Sequence, residues 1–230
     1  MQKPTLNPTE NQTFEIIGSG DCDFVRTLEA SRRAEREQDV ERACNIRYAA
    51  FGRIAGLLPD DEETILEWNH RNTRAAMETI YASAVDHFLI DDFEMSAAML
   101  ELLLDVDPED HLESVIMLAM DYVALEEYEL LDEIINDISD KYAVRALLLL
   151  WSSFRRTGEL PAGEVTGFRK RFPLFFAEFT AAEHPADEKY LADIESEHPS
   201  QAAQARELWL QTENLWRRFP GFVERLQAEL

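Results

Sequence analysis

Glu67-Trp68-Asn69-His70 is the first place where the sequence could do chemistry. A carboxylate and an imidazole three residues apart share one face of a helix. That spacing is half of the ligand set of a carboxylate-bridged di-metal bundle, which takes two such pairs and two further inward carboxylates. One half-motif does not complete the shell, so Glu67 and His70 are expected on an exposed polar face. Asp105-Val106-Asp107-Pro108-Glu109-Asp110 resembles the start of a calcium loop. An EF-hand needs Gly at its sixth position and Glu at its twelfth; here Asp110 and Ile116 stand there, and a helix turn is the better reading. No glycine-rich phosphate loop and no Gly-x-Ser-x-Gly elbow occurs. Cys22 and Cys44 fit neither a zinc nor a redox spacing. The expectation is a non-enzyme with no cofactor and no metal site.

Charge is the strongest remaining signal. The net charge is −24, and residues 60–140 hold 2 Lys/Arg against 24 Asp/Glu, while the flanking segments are close to neutral. A phosphate backbone or an anionic membrane surface would be repelled by that segment. A basic protein or peptide would be attracted. The basic clusters Arg169-Lys170-Arg171 and Arg217-Arg218 sit beside aromatics. They are expected at helix C-termini, where cations complement the helix dipole, with contact to the acidic middle of a second copy as an alternative.

The elements that must carry these residues are helices. Hydrophobic residues make up 46% of the chain against only 8 Gly and 9 Pro, too few turn-formers for an all-β fold. Residues 1–20, broken by Pro4, Pro8, Gly18 and Gly20, read as a flexible tail. Asp21 or Asp23 caps a helix to about Glu37. A second helix from Asp39 carries Val40, Ala43, Cys44, Ala50, Phe51, Ile54, Leu57 and Leu58 on one stripe and ends at Pro59. Asp60, Asp61, Glu62 and Glu63 open a third, expected to reach Ile90 with Ile65, Trp68, Ala76, Ile80, Ala84 and Phe88 inward, with a break near Asn72 as the alternative because the span is long for a globular helix. Further helices are expected over Met95–Val106, Leu112–Leu125, a stripe from Leu131 to Ile138, Tyr142–Phe154 with a stop at Gly158, and Ser200–Phe219. Arg171-Phe172-Pro173 and Arg218-Phe219-Pro220 read as similar helix boundaries. The N-terminus lacks the apolar run of a signal peptide, and stretches such as Ala146–Trp151 are too short to span a bilayer. A cytoplasmic protein is the expectation.

The run from Asp92-Phe93-Glu94 to Asp107-Pro108 resembles the second helix of a tetratricopeptide repeat and the turn that closes it. Phe93 matches the turn aromatic, Ser96 and Ala97 the small positions, Pro108 the terminal proline, and Tyr128 repeats the aromatic in the next unit. Residues 40–155 carry the resemblance. The preceding helix departs from the pattern, with Ile80, Ser83 and Ala84 where the family has Trp, Leu and Gly. The resemblance implies an all-α, right-handed superhelix of antiparallel helix pairs over 21–158, with a C-terminal helical segment, 159–230, packing on it as a cap. It also implies a concave groove for an extended or helical peptide, with Asn69, Asn72, Asp86, His87, Asp121 and Tyr122 as lining residues. The function expected from charge and resemblance together is an adaptor that binds a basic or amphipathic segment through an acidic helical surface. Two other readings are a helical metal protein or enzyme using buried carboxylates and His70, and a structural protein that self-assembles into a homo-oligomer through its aromatic C-terminal segment.

Overall fold

A computed structural model describes residues 5–59 and 63–229. The chain is mostly helical and divides into two compact units, Met1–Asp121 and Tyr122–Leu230. The sequence placed its division later, near Gly158.

Unit 1 begins with a β-hairpin rather than a tail. Strands β1 (Thr5–Pro8) and β2 (Phe14–Ile17) pair antiparallel, and Ile16 is fully buried. Helices α1 (Phe24–Arg36), α2 (Val40–Ala55), α3 (Arg71–Leu89) and α4 (Phe93–Val106) follow. α1 packs on α2 and α3, α2 on α3, and α3 on α4. Asp23, Asp39 and Asp92 cap α1, α2 and α4, each accepting the amide three residues on. These caps satisfy donors that an α-helix leaves unpaired at its start.

The third helix is shorter than expected. Asp60, Asp61 and Glu62 lie outside the described residues. Glu63 to Asn69 are not helical, because their backbone is taken up elsewhere. Phe14 and Leu66 form a parallel bridge, the Phe14 amide donates to the Ile65 carbonyl at 2.8 Å, and the Leu66 amide donates to the Val106 carbonyl at 2.8 Å. Asn72 and Thr73, in the first turn of α3, then hold the N-terminal segment. The Thr73 hydroxyl accepts the Ile16 amide at 2.8 Å. The Asn72 side chain accepts the Phe24 amide at 2.8 Å and donates to the carbonyls of Ile16 and Cys22.

A buried guanidinium joins three helices. Arg47, on the apolar stripe of α2, is buried. It donates to both carboxylate oxygens of Asp86 on α3, at 2.7 and 2.6 Å, and to Glu35 on α1. Burial opposes its charge, but the hydrogen bonds with Asp86 and Glu35 more than compensate and hold its pKa above the ordinary arginine value.

Helix α5 (Ser114–Leu125) runs across the unit boundary into α6 (Tyr128–Ile134), which is shorter than the expected stripe to Ile138. The turns α1–α2, α3–α4 and α5–α6 are built alike. Gln38, Asp91 and Glu126 take left-handed φ values of 62°, 64° and 65°. The next amide, of Asp39, Asp92 or Glu127, donates five residues back to Ala34, His87 or Tyr122 at 2.9, 3.0 and 2.9 Å. That is a Schellman closure, usually made with Gly. Here an acidic residue follows immediately and starts the next helix.

Unit 2 adds α7 (Ala143–Thr157), α8 (Ala162–Arg171), α9 (Pro173–Phe179), α10 (Glu188–Ile194), α11 (Gln201–Gln211), α12 (Glu213–Arg218) and α13 (Pro220–Gln227). α7 packs on α8 and α13, and α9 on α11. Gly158 stops α7 at φ 75°, as the sequence indicated. The core is aromatic: the ring of Trp151 meets Trp216 at 5.3 Å, and Phe179 meets Trp209 and Trp216 at 5.1 and 5.4 Å. The two Phe-Pro boundaries share one geometry, with φ/ψ of −127°/59° at Phe172 and −125°/61° at Phe219. The single helix expected over Ser200–Phe219 is broken at Thr212. Its hydroxyl donates to the Leu208 carbonyl at 2.6 Å and accepts the Trp216 indole N–H at 2.8 Å.

Two stability outcomes follow from this architecture. Asp86→Ala leaves the Arg47 charge poorly compensated and should cost about 3–5 kcal/mol by urea unfolding, whereas Arg47→Met with Asp86→Leu should recover most of the loss. Gln38→Gly should raise stability by about 0.5 kcal/mol and Gln38→Val should lower it by about 1 kcal/mol, because only Gly adopts a left-handed φ freely.

Candidate functional site

The six residues expected to line a groove are not gathered on one open surface. Asn69 is exposed, and its amides bond to Glu67. Asn72 braces α1 and β2, and Asp86 is held by Arg47, so both have structural roles. His87 bonds through Nδ1 to Asp92 at 2.8 Å, and its ring lies 5.4 Å from Tyr48. Asp121 and Tyr122 are buried and cannot form part of an open groove. Helical phase alone could not separate the solvent face of these helices from the face covered by a neighbour.

The repeat-matching residues fall where packing is tight. Phe93, Ser96 and Ala97 are buried on α4, and Phe93 meets Phe88 edge-on at 5.8 Å. Tyr128 opens α6 beneath the Arg156 guanidinium, 4.6 Å from its ring. Pro108 follows Asp107, which leaves α4 at φ −133°.

The possible metal positions are occupied by local hydrogen bonds. His70 caps α3 and bonds to the Thr73 hydroxyl at 2.7 Å, while Glu67 accepts from Thr13 at 2.8 Å. Contrary to the single half-motif expected, the sequence holds a second Glu-x-x-His pair, Glu195 and His198, but both side chains are exposed, in unit 2. In the calcium-like stretch, Asp110 accepts the amides of Ser114 and Val115, and Asp107 accepts from the amide of His111. His111 stacks on Trp68, ring centres 4.5 Å apart. Among the described residues, no group of three or more His, Cys, Asp or Glu side chains is placed to hold a metal ion. An open cleft of about 720 Å³ between α1 and α2 is lined by Arg26, Arg42 and Arg53 together with Asp21, Asp39 and Glu41. Its charges are mixed, and Arg53 is spent on the carbonyls of Asp21 and Ala49.

The acidic surface itself is well defined. From the turn before α6 through the segment after it, Glu126, Glu127, Glu129, Asp132, Glu133, Asp137 and Asp140 are all exposed. Three of them meet arginines of the same unit: Glu126 with Arg155 at 2.7 Å, Asp132 with Arg156 at 2.7 Å, and Asp140 with Arg171 at 3.2 Å. Among the described residues no arginine or lysine pairs with Glu127, Glu129, Glu133 or Asp137, all of them exposed. The basic clusters do occupy helix C-termini, Arg169, Lys170 and Arg171 on α8 and Arg217 and Arg218 on α12. Among the described residues no helix is long and apolar enough to cross a membrane.

No protein-family model, curated protein or solved structure matches this chain.

Among the described residues of the acidic segment, Asp121 is the most deeply buried carboxylate, with Asp107 next. Neither of its oxygens closes a well-formed hydrogen bond. Burial pushes its pKa up to about 8, opposed only weakly by the Ser96 hydroxyl. Between about pH 4 and pH 8 the unfolded chain has released a proton that the folded chain keeps. Stability therefore falls as pH rises through that window, by up to about 1.4 kcal/mol per unit. Asp121→Asn should stabilise the protein by about 2 kcal/mol or more at pH 8 and by little at pH 4, measured by urea unfolding at both values.

Proposed function

We propose that this protein is a non-enzymatic interaction module that binds a basic or amphipathic segment of another protein through its acidic helical surface. The observation that carries this reading is the set of solvent-facing carboxylates in the segment after α5, only part of which is neutralised by Arg155, Arg156 and Arg171. Complementary charge chiefly speeds encounter and selects the partner's sign.

The helix-pair architecture supports the reading. The three alike turns after α1, α3 and α5, the last two spaced 35 residues apart, are the regularity that a tetratricopeptide-like array would produce. Such arrays use extended faces rather than deep pockets for recognition. The cytoplasm, where basic protein segments are plentiful and thiols such as Cys22 and Cys44 stay reduced, suits this role.

A fluorescent Lys-rich peptide tests the proposal. Its affinity should fall at least about tenfold between roughly 50 and 500 mM salt, since screening shortens the Debye length across that range. Replacing Glu127, Glu129, Glu133 and Asp137 together by Gln or Asn should weaken binding at low salt with an unchanged circular dichroism spectrum. Binding that ignores both salt and these changes would remove the basis of the proposal.

A further inference from the structure

Among the described residues, the most exposed large apolar side chains lie on α2 and at the C-terminal end of α3. Ile90 is 72% exposed, Val40 62%, and Tyr48 and Leu89 50% each. Isolated exposed apolar residues are ordinary, but a contiguous apolar patch with a polar rim marks an interaction surface.

The fold places these four together. Arg53, near the end of α2, donates to the Asp21 carbonyl just before α1, and Asn72, at the start of α3, accepts the first amide of α1. The C-terminus of α2 and the N-terminus of α3 therefore lie at one end of the unit. The N-terminus of α2 and the C-terminus of α3 lie at the other. The Arg47–Asp86 pair marks the seam between the two helices. Val40 lies seven residues before Arg47 on the same stripe as Cys44, roughly 10 Å along the axis. Leu89 and Ile90 lie three and four residues beyond Asp86, roughly 5 Å along in the same direction. Tyr48 flanks the seam, its ring against His87. Val40 belongs to the apolar stripe of α2 but is exposed. It opens α2, where α3 is close to its end and does not cover it.

The rim is mixed but acidic in balance: Glu37, Asp39, Glu41, Asp91 and Glu94 are exposed beside the two turns, against Arg33, Arg36 and Arg42. Arg42 is drawn toward Glu37 at 3.7 Å. We infer that Val40, Tyr48, Leu89 and Ile90 form the apolar seat for an amphipathic basic helix, whose apolar face covers them while its Lys or Arg residues meet the acidic rim. This rests on the interaction-module reading above and locates its anchoring contact. Charge would guide the partner in, and the four apolar side chains would supply the lasting contact.

The test uses the full chain and two labelled peptides of identical Leu and Lys composition, about 18 residues each, a length at which helix formation becomes practical. One is ordered to form an apolar face and the other is scrambled. The ordered peptide should bind about tenfold more tightly, and Val40→Ser with Ile90→Ser should abolish that preference while leaving the weaker, salt-sensitive binding of the scrambled peptide intact. Equal affinity for the two peptides, or an ordered-peptide preference that survives the double substitution, overturns the inference and leaves the acidic-surface reading standing. Failure of both peptides to bind overturns both. Sedimentation of the free chain as a dimer that the same substitutions dissociate would assign the patch to a second copy and also overturn the inference.

Discussion

A single guanidinium organises unit 1. Arg47 sits where the apolar stripe of α2 calls for a hydrophobic side chain, and it is kept there by Asp86 and Glu35. A charge removed from water is tolerated only when its partners are fixed. The three helices α1, α2 and α3 are thus held to a register in which those carboxylates face Arg47, whereas a purely apolar seam could slide by a turn at small cost. The exposed ends of α2 and α3 come level because of that register, and so does the apolar patch that they carry.

Local rules carried much of the fold. Asp23 and Asp39 announce helix starts because a short acidic side chain can reach the amide three residues on, a contact that depends on neighbours in sequence alone. Gly158 announces a stop for a similar reason. The β-hairpin and the irregular stretch before α3 were not legible. The hairpin leans on Ile65, Asn72 and Thr73, and the stretch before α3 on Phe14 and Val106, partners distant in sequence that no local pattern encodes. Helix α11 was misjudged for a subtler reason. Thr212 is acceptable within a helix, and only the indole of Trp216 turning back to its hydroxyl makes it a break.

The candidate surface was legible in charge but not in position. Composition located the acidity in the middle third, and the exposed carboxylates after α5 agree with that. The individual groove residues were drawn from helical phase, which reports one face of a helix and is silent about which neighbour covers it. Asp86 and Asp121 are both acidic residues at plausible phases, yet one is clamped by an arginine and the other is fully buried. Arg47 left a signal that could have been used, a lone charge on an otherwise apolar stripe.

The side chain of Asn72 reaches across the whole first third of the polypeptide, touching the carbonyls of Ile16 and Cys22 and the amide of Phe24. During synthesis, the hairpin and the first two helices leave the ribosome before this amide does. They must wait, loosely formed, for the segment that fastens them. Contacts of such long sequence separation slow assembly. Residues 16–24 are therefore made before the side chain that secures them, and in that interval a chaperone or a protease would have its best access to them.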